Sequence, residues 1–147
     1  ERITYMPGAS TLLATMKENG CYSALVSGGF TMFTEEVSAN LGFNENHANV
    51  LLTNKNKLTG KVKKPILGKK AKVEQLERIA GKLDLPATQV IAVGDGANDL
   101  DMLNKAGTGV ALHAKPSVAG QCDIRINFGD LTSLLFIQGY SKEKFVI

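Results

Sequence analysis

Cysteine is nearly absent from this 147-residue sequence, and the two that occur, Cys21 and Cys122, lie far apart with no C-x-x-C or Cys/His metal spacing. A disulfide scaffold and a structural zinc site are therefore excluded, and free thiols in a reducing, cytoplasmic setting are expected. Long apolar runs are missing as well. No window approaches the length needed to cross a bilayer, and no basic segment followed by an apolar one opens the chain, so neither a membrane nor export is expected. The formal charge of +3 is too small to imply nucleic acid or a membrane surface as partner. What remains, at 44% hydrophobic and 21% charged residues, is a soluble globular chain of about one domain.

Acidic residues are missing from one long stretch. None stands between Glu45 and Glu74, whereas Lys55, Lys57, Lys61, Lys63, Lys64, Lys69, Lys70 and Lys72 all fall there. A solvated lysine-rich hairpin and helix start account for most of them. The sequence opens on Glu1, not methionine, and a helical pattern begins almost at once. It reads as starting at an interior point of a longer chain.

Ala9, Leu12, Leu13 and Met16 recur at helical spacing up to Gly20. Residues 22–26 form a strand-like run that ends in a tight Ser27-Gly28-Gly29 turn. Phe30, Phe33, Val37 and Leu41 mark the inward face of a second helix closed by Gly42. Residues 49–53 and 57–62 flank Asn54-Lys55-Asn56 as a hairpin, an insertion at about residues 48–63. A third helix carries Val73, Leu76, Ile79, Ala80 and Leu83 inward and Glu74, Glu77 and Arg78 outward, until Pro86 breaks it. Residues 90–93 read as a strand buried on both faces of a parallel sheet. The loop from Gly94 then opens a helix with Leu100, Leu103 and Ala106 inward. Strands at 109–112 and 123–126 and a last helix at 131–137 complete the pattern. Such alternation predicts a doubly wound, mainly parallel α/β sheet with ligands at the carboxyl ends of its strands.

Both Gly-rich loops fall at such ends. In Gly94-Asp95-Gly96-Ala97-Asn98-Asp99, Asp95 is the natural inner ligand for a hard cation such as magnesium, and Asp99 either holds metal-bound water or fixes the loop. Taken singly, each aspartate is accounted for by a turn or by a helix start; the hexapeptide at a strand-to-helix junction favours the metal loop. It is neither G-x-G-x-x-G nor a P-loop. Ser27-Gly28-Gly29-Phe30 offers a hydroxyl and backbone N–H groups to phosphate oxygens. Lys69, Lys70 and Lys72 are each placed to neutralise phosphate charge, and side-chain chemistry alone does not choose among them.

Together, Ser27-Gly28-Gly29-Phe30, the lysine of Ala71-Lys72-Val73-Glu74 and the Gly94 to Asp99 loop resemble motifs two, three and four of haloacid dehalogenase-type phosphatases. Met6-Pro7-Gly8-Ala9, Lys57-Leu58-Thr59-Gly60, Ala106-Gly107 and Ala114-Lys115-Pro116 extend the likeness over nearly the whole chain, toward the branch that acts on O-phosphoserine. The resemblance implies a Rossmann-like sheet with Lys72 as the motif-three catalytic lysine, which also meets substrate. It further implies that Ser27 and Gly28 bind the phosphoryl group, that Asp95 ligates Mg2+, that Asn98 supports substrate and that Asp99 supports the metal from behind. The reaction implied is hydrolysis of O-phosphoserine through an aspartyl-phosphate, the last step of serine biosynthesis.

The family nucleophile lies in Asp-x-Asp-x-Thr/Val on the first central strand, and no Asp-x-Asp precedes Ser27. The one present, Asp99-Leu100-Asp101, sits in the helix after the metal loop. The helical cap expected between motifs one and two is absent too. Residues 1–147 are thus expected to form one partial core domain that lacks its first central strand. Alone it should be inactive and bind magnesium weakly, its open sheet covered by a missing N-terminal segment or another copy. The rival readings are a related phosphatase for another small phosphomonoester and a non-catalytic regulatory or binding module.

Overall fold

The computed structural model describes residues 3–147; Glu1, on which the expectation of a longer chain rests, lies outside the described residues. Two compact units form: residues up to Ile66 with Gly129–Ile147, and Leu67–Phe128.

In the first unit, helix α1 (Ala9–Glu18) buries Ala9, Leu12 and Leu13 of the stripe its periodicity marks, with Thr15 in place of Met16, which is only half-buried. Gly8 precedes it at φ 82°, and a Cβ there would lie 3.0 Å from Asp130 and Thr132, so only glycine serves both the turn and the close approach. Thr15 is fully buried, and its Oγ1 accepts the Val146 N–H at 2.9 Å, which ties the C-terminal tail to α1. Strand β1 (Ala24–Phe30), helix α2 (Thr31–Leu41) and strand β2 (Glu45–Asn49) follow, with β1 and β2 parallel. Strands β3 (Leu51–Asn54) and β4 (Lys57–Val62) pair antiparallel around Lys55 (φ 48°) and Asn56 (φ 62°), the left-handed pair of a two-residue hairpin turn. The last helix of this unit, numbered α6 in chain order, is Ser133–Ile137.

Three features here depart from the expectation. The strand placed at 22–26 starts at Ala24 and continues through Ser27-Gly28-Gly29 to Phe30, because β2 supplies backbone partners on either side of the glycines. Strand β2 itself has no apolar alternation to announce it. Helix α2 turns Thr34 and Ser38 inward and leaves Phe33 exposed. The reason is polar packing: the Thr34 hydroxyl donates to Asn46 Oδ1 on β2 at 2.9 Å.

The second unit runs α3 (Lys69–Lys82), β5 (Ile91–Gly94), α4 (Leu100–Lys105), β6 (Thr108–Leu112), α5 (Pro116–Ala119) and β7 (Ile124–Ile126). Its sheet has order β5-β6-β7, all parallel. Val110 and Ala111 of the central strand are wholly buried and Leu103 packs with them, so the α/β class with mainly parallel sheets is as expected. The parallel strands nonetheless fall in two separate sheets. Residues 90–93 are not buried on both faces: β5 is an edge strand of its sheet, and Ile91 is 38% exposed. Short α5, begun by Pro116, was not marked by any periodicity.

Gly109 of β6 runs against the Leu103 backbone of α4, whose carbonyl carbon would lie 2.8 Å from any added Cβ. Gly109→Ala should therefore destabilise the chain by about 1–3 kcal/mol, read as a lowered urea midpoint at unchanged m-value.

Candidate active site

Strand β5 is apolar up to Gly94, and the chain then turns through Asp95 and Gly96 into a 3-10 turn (Ala97–Asp99) that leads into α4. The turn is built around one carboxylate. Asp99 Oδ2 accepts the backbone N–H of Asp95 and of Gly96, both at 3.1 Å, and its Oδ1 accepts from the Lys72 ammonium at 2.5 Å. A Cβ on Gly94 would sit 2.5 Å from Asp99 Cβ, so the glycine makes room for the carboxylate behind the loop. Both Lys72 and Asp99 are buried.

Of the three candidate lysines at the start of α3, only Lys72 turns inward. Lys69 is exposed beside Asp101 at 3.5 Å, and Lys70 is exposed beside Glu74 at 3.9 Å. Burial pushes the Asp99 carboxyl up, but the hydrogen bond and charge of Lys72 and the two loop N–H groups outweigh it and hold the carboxyl below the ordinary aspartate range.

Because Asp99 makes the loop's internal bonds, the Asp95 carboxylate is left exposed at the strand tip, as is Asn98. Among the described residues no three His, Cys, Asp or Glu side chains gather into a metal cluster. Magnesium keeps several waters and is commonly held through one or two carboxylates. The donor set therefore fits a single protein contribution to Mg2+ from Asp95, short of a full cage.

Ser27 and Gly28 lie in the first unit, at the carboxyl end of β1. Ser27 Oγ accepts the Gly29 N–H at 3.0 Å, and Asn49 Nδ2 donates to the Gly28 carbonyl at 2.9 Å. Asn49 is a buried residue that the sequence reading assigned to the hairpin. The one available signal was an asparagine at the head of the strand-forming run 49–53, where the residue type is disfavoured.

A parallel sheet whose strand β5 ends in an acidic turn braced by a buried lysine places the chain among α/β proteins, a class in which ligands bind at the carboxyl ends of the strands. Residues 1–104 match the family described as haloacid dehalogenase-like hydrolase. The chain belongs to that family. It is 41% identical over 138 residues, 94% of its length, to a phosphoserine phosphatase of Streptomyces coelicolor, of which it covers 34%. An unliganded Vibrio cholerae structure described as a probable phosphoserine phosphatase superposes with a TM-score of 0.90 at 35% identity, over 93% of this chain and 42% of that one. A phospho-aspartyl intermediate analogue of phosphoserine phosphatase superposes with a TM-score of 0.86 at 39% identity, over 92% of this chain and 65% of that one. The chain spans about a third to three-fifths of the length of the curated relatives it matches.

Lys72→Met leaves the Asp99 carboxylate buried without its cation and should cost about 3–5 kcal/mol at pH 7. The folded-state value of Asp99 lies below the unfolded one, so its stabilisation is fully present above about pH 4 and is lost as pH falls through the folded value. The gap between variant and wild type in urea unfolding should therefore narrow as the pH is lowered below about 4.

Proposed function

We propose that this chain is the phosphate-binding and magnesium-supporting part of a phosphoserine phosphatase, an enzyme that hydrolyses O-phosphoserine to serine and phosphate through an aspartyl-phosphate at the end of serine biosynthesis. The observation that carries the reading is the buried Lys72–Asp99 pair behind the Gly94 to Asp99 loop, in a chain similar to phosphoserine phosphatases over nearly all its length. The aspartyl-phosphate is supported by the phospho-aspartyl analogue among its structural relatives. Residues 1–147 then count as one partial hydrolase core, and a cytoplasmic setting belongs to the same reading. Among the described residues no helix is long and apolar enough to cross a membrane, and both cysteines are free.

Each residue has a part that follows from its surroundings. Ser27 Oγ accepts from Gly29, which leaves its hydroxyl hydrogen to donate to a phosphoryl oxygen. Gly28 brings backbone close to that oxygen with no side chain in the way. The Lys72 ammonium has three donors and engages Asp99 with one, so it can also meet developing negative charge. Asp95 holds Mg2+, which when bound supplies charge neutralisation at phosphate oxygens. Asp99 keeps the Asp95 turn and Lys72 in place, and exposed Asn98 faces the substrate.

The nucleophile has no counterpart here. Asp99 is engaged on both oxygens, and Asp101 is exposed on α4 beside Lys69. In this reading the chain alone does not turn over, and a strand from elsewhere covers the open edge of β5. The relatives' chains are longer, and a segment equivalent to the part this chain does not cover is one source; another copy is the other.

The purified chain with Mg2+ should release no phosphate from O-phosphoserine. Co-expressed with the part of the Streptomyces coelicolor relative that it does not cover, it should hydrolyse O-phosphoserine in preference to other small phosphomonoesters. Asp95→Asn should lower that rate by at least about a hundredfold. Steady hydrolysis by the mass-verified chain alone, or preference for a different phosphomonoester, would sink the proposal.

A further inference from the structure

We infer that Asn49 is a positioning residue that sets the geometry of the Ser27-Gly28-Gly29 turn for phosphate; the inference rests on the reading of Ser27 and Gly28 as the phosphoryl-binding pair. The β1–β2 register pairs Val26 with His47 and then Phe30 with Asn49, so four steps along β1 match two along β2. Two residues of β1 therefore have no place in the ladder, and the turn must lift out of it. A lifted turn with two adjacent glycines has wide backbone freedom. Left to itself it would sample many orientations of its hydroxyl and N–H groups.

Two hydrogen bonds choose among them. One is local and exposed, from the Gly29 N–H to Ser27 Oγ at 3.0 Å. The other comes from 21 residues away, from buried Asn49 Nδ2 to the Gly28 carbonyl at 2.9 Å. The peptide between Gly28 and Gly29 is planar and trans, so aiming its carbonyl at Asn49 also directs the Gly29 N–H on its opposite side. That N–H holds Ser27 Oγ, which in turn leaves the Ser27 hydroxyl hydrogen its remaining direction. Asn49 thus acts on phosphate through the Gly28 carbonyl, the Gly29 N–H and Ser27. A strand interior gives asparagine no packing advantage, and a buried amide is costly unless hydrogen-bonded. The bond to Gly28 gives its Nδ2 a partner at the end of β2.

The test uses the full chain, labelled with 15N and titrated with inorganic phosphate, following the Gly28, Gly29 and Asn49 side-chain amide resonances. In the wild type the Asn49 amide should move together with Gly28 and Gly29, with one dissociation constant. Asn49→Ala and the near-isosteric Asn49→Leu should weaken phosphate binding roughly three- to tenfold. Thr34→Val, which removes the separate α2–β2 bond to Asn46, should lower the melting temperature without changing phosphate affinity. Wild-type affinity in both Asn49 variants, or an Asn49 amide that stays still while Gly28 and Gly29 move, overturns the role of Asn49 alone. No response at Gly28 and Gly29 in the wild type removes the phosphate subsite itself, and the inference with it. Should the Asn49 variants fail to fold, the wild-type Asn49 resonance still decides.

Discussion

An ammonium group cannot leave water without a counterion, and the Lys72–Asp99 contact is where this chain meets that requirement. The pair ties the start of α3 to the turn after β5, which is why of three neighbouring lysines only one faces inward. Asp99 answers three donors at once: the Lys72 ammonium and the N–H groups of Asp95 and Gly96. A neutral side chain could not hold all three with comparable strength, because hydrogen bonds to a charged acceptor are about twice as strong as neutral ones. The absence of a side chain at Gly94 and the outward Asp95 carboxylate both follow from seating that one carboxylate behind the turn.

The first unit solves a related problem with neutral groups. Its turn is shaped by a serine hydroxyl and an asparagine amide, and its helix α2 meets β2 through Thr34 and Asn46 instead of an apolar seam. These bonds shape the turn without placing a formal charge beside it. The second unit keeps its charges inside an ion pair and leaves a carboxylate exposed. In the proposed reading, the neutral groups of the first unit would serve phosphate and the exposed Asp95 carboxylate of the second a cation, the division that metal-assisted phosphoester hydrolysis calls for.

Family membership and chain length bear on how these parts are used. Haloacid dehalogenase-like hydrolases include the phosphoserine phosphatases that this chain is similar to, and it spans only part of their length. Strand β5, at the edge of its own sheet, exposes Ile91 although its sequence is that of a strand with two neighbours. An apolar edge strand presents unpaired backbone groups and calls for cover.

Much of the fold was legible in residue order. The periodicity of α1, α3 and α4, the hairpin around Lys55-Asn56 and the Gly94 to Asp99 turn all depend on spacings within a few residues, which local sterics and turn chemistry settle. Residues that meet only after folding were not legible. Lys72 and Asp99 are 27 positions apart and Asn49 and Gly28 are 21 apart, so neither partnership leaves a local pattern. Strand β2, with its polar run from Glu45 to His47, is a strand because β1 lies beside it. The sequence by itself determined the types of those elements that carry local periodicity or turn chemistry, and the residue kinds at the strand tips. Only the tertiary structure decided which lysine is buried, where β1 ends, which face α2 turns inward and what holds each loop, because each of those depends on a partner group that the chain brings in from far along its length.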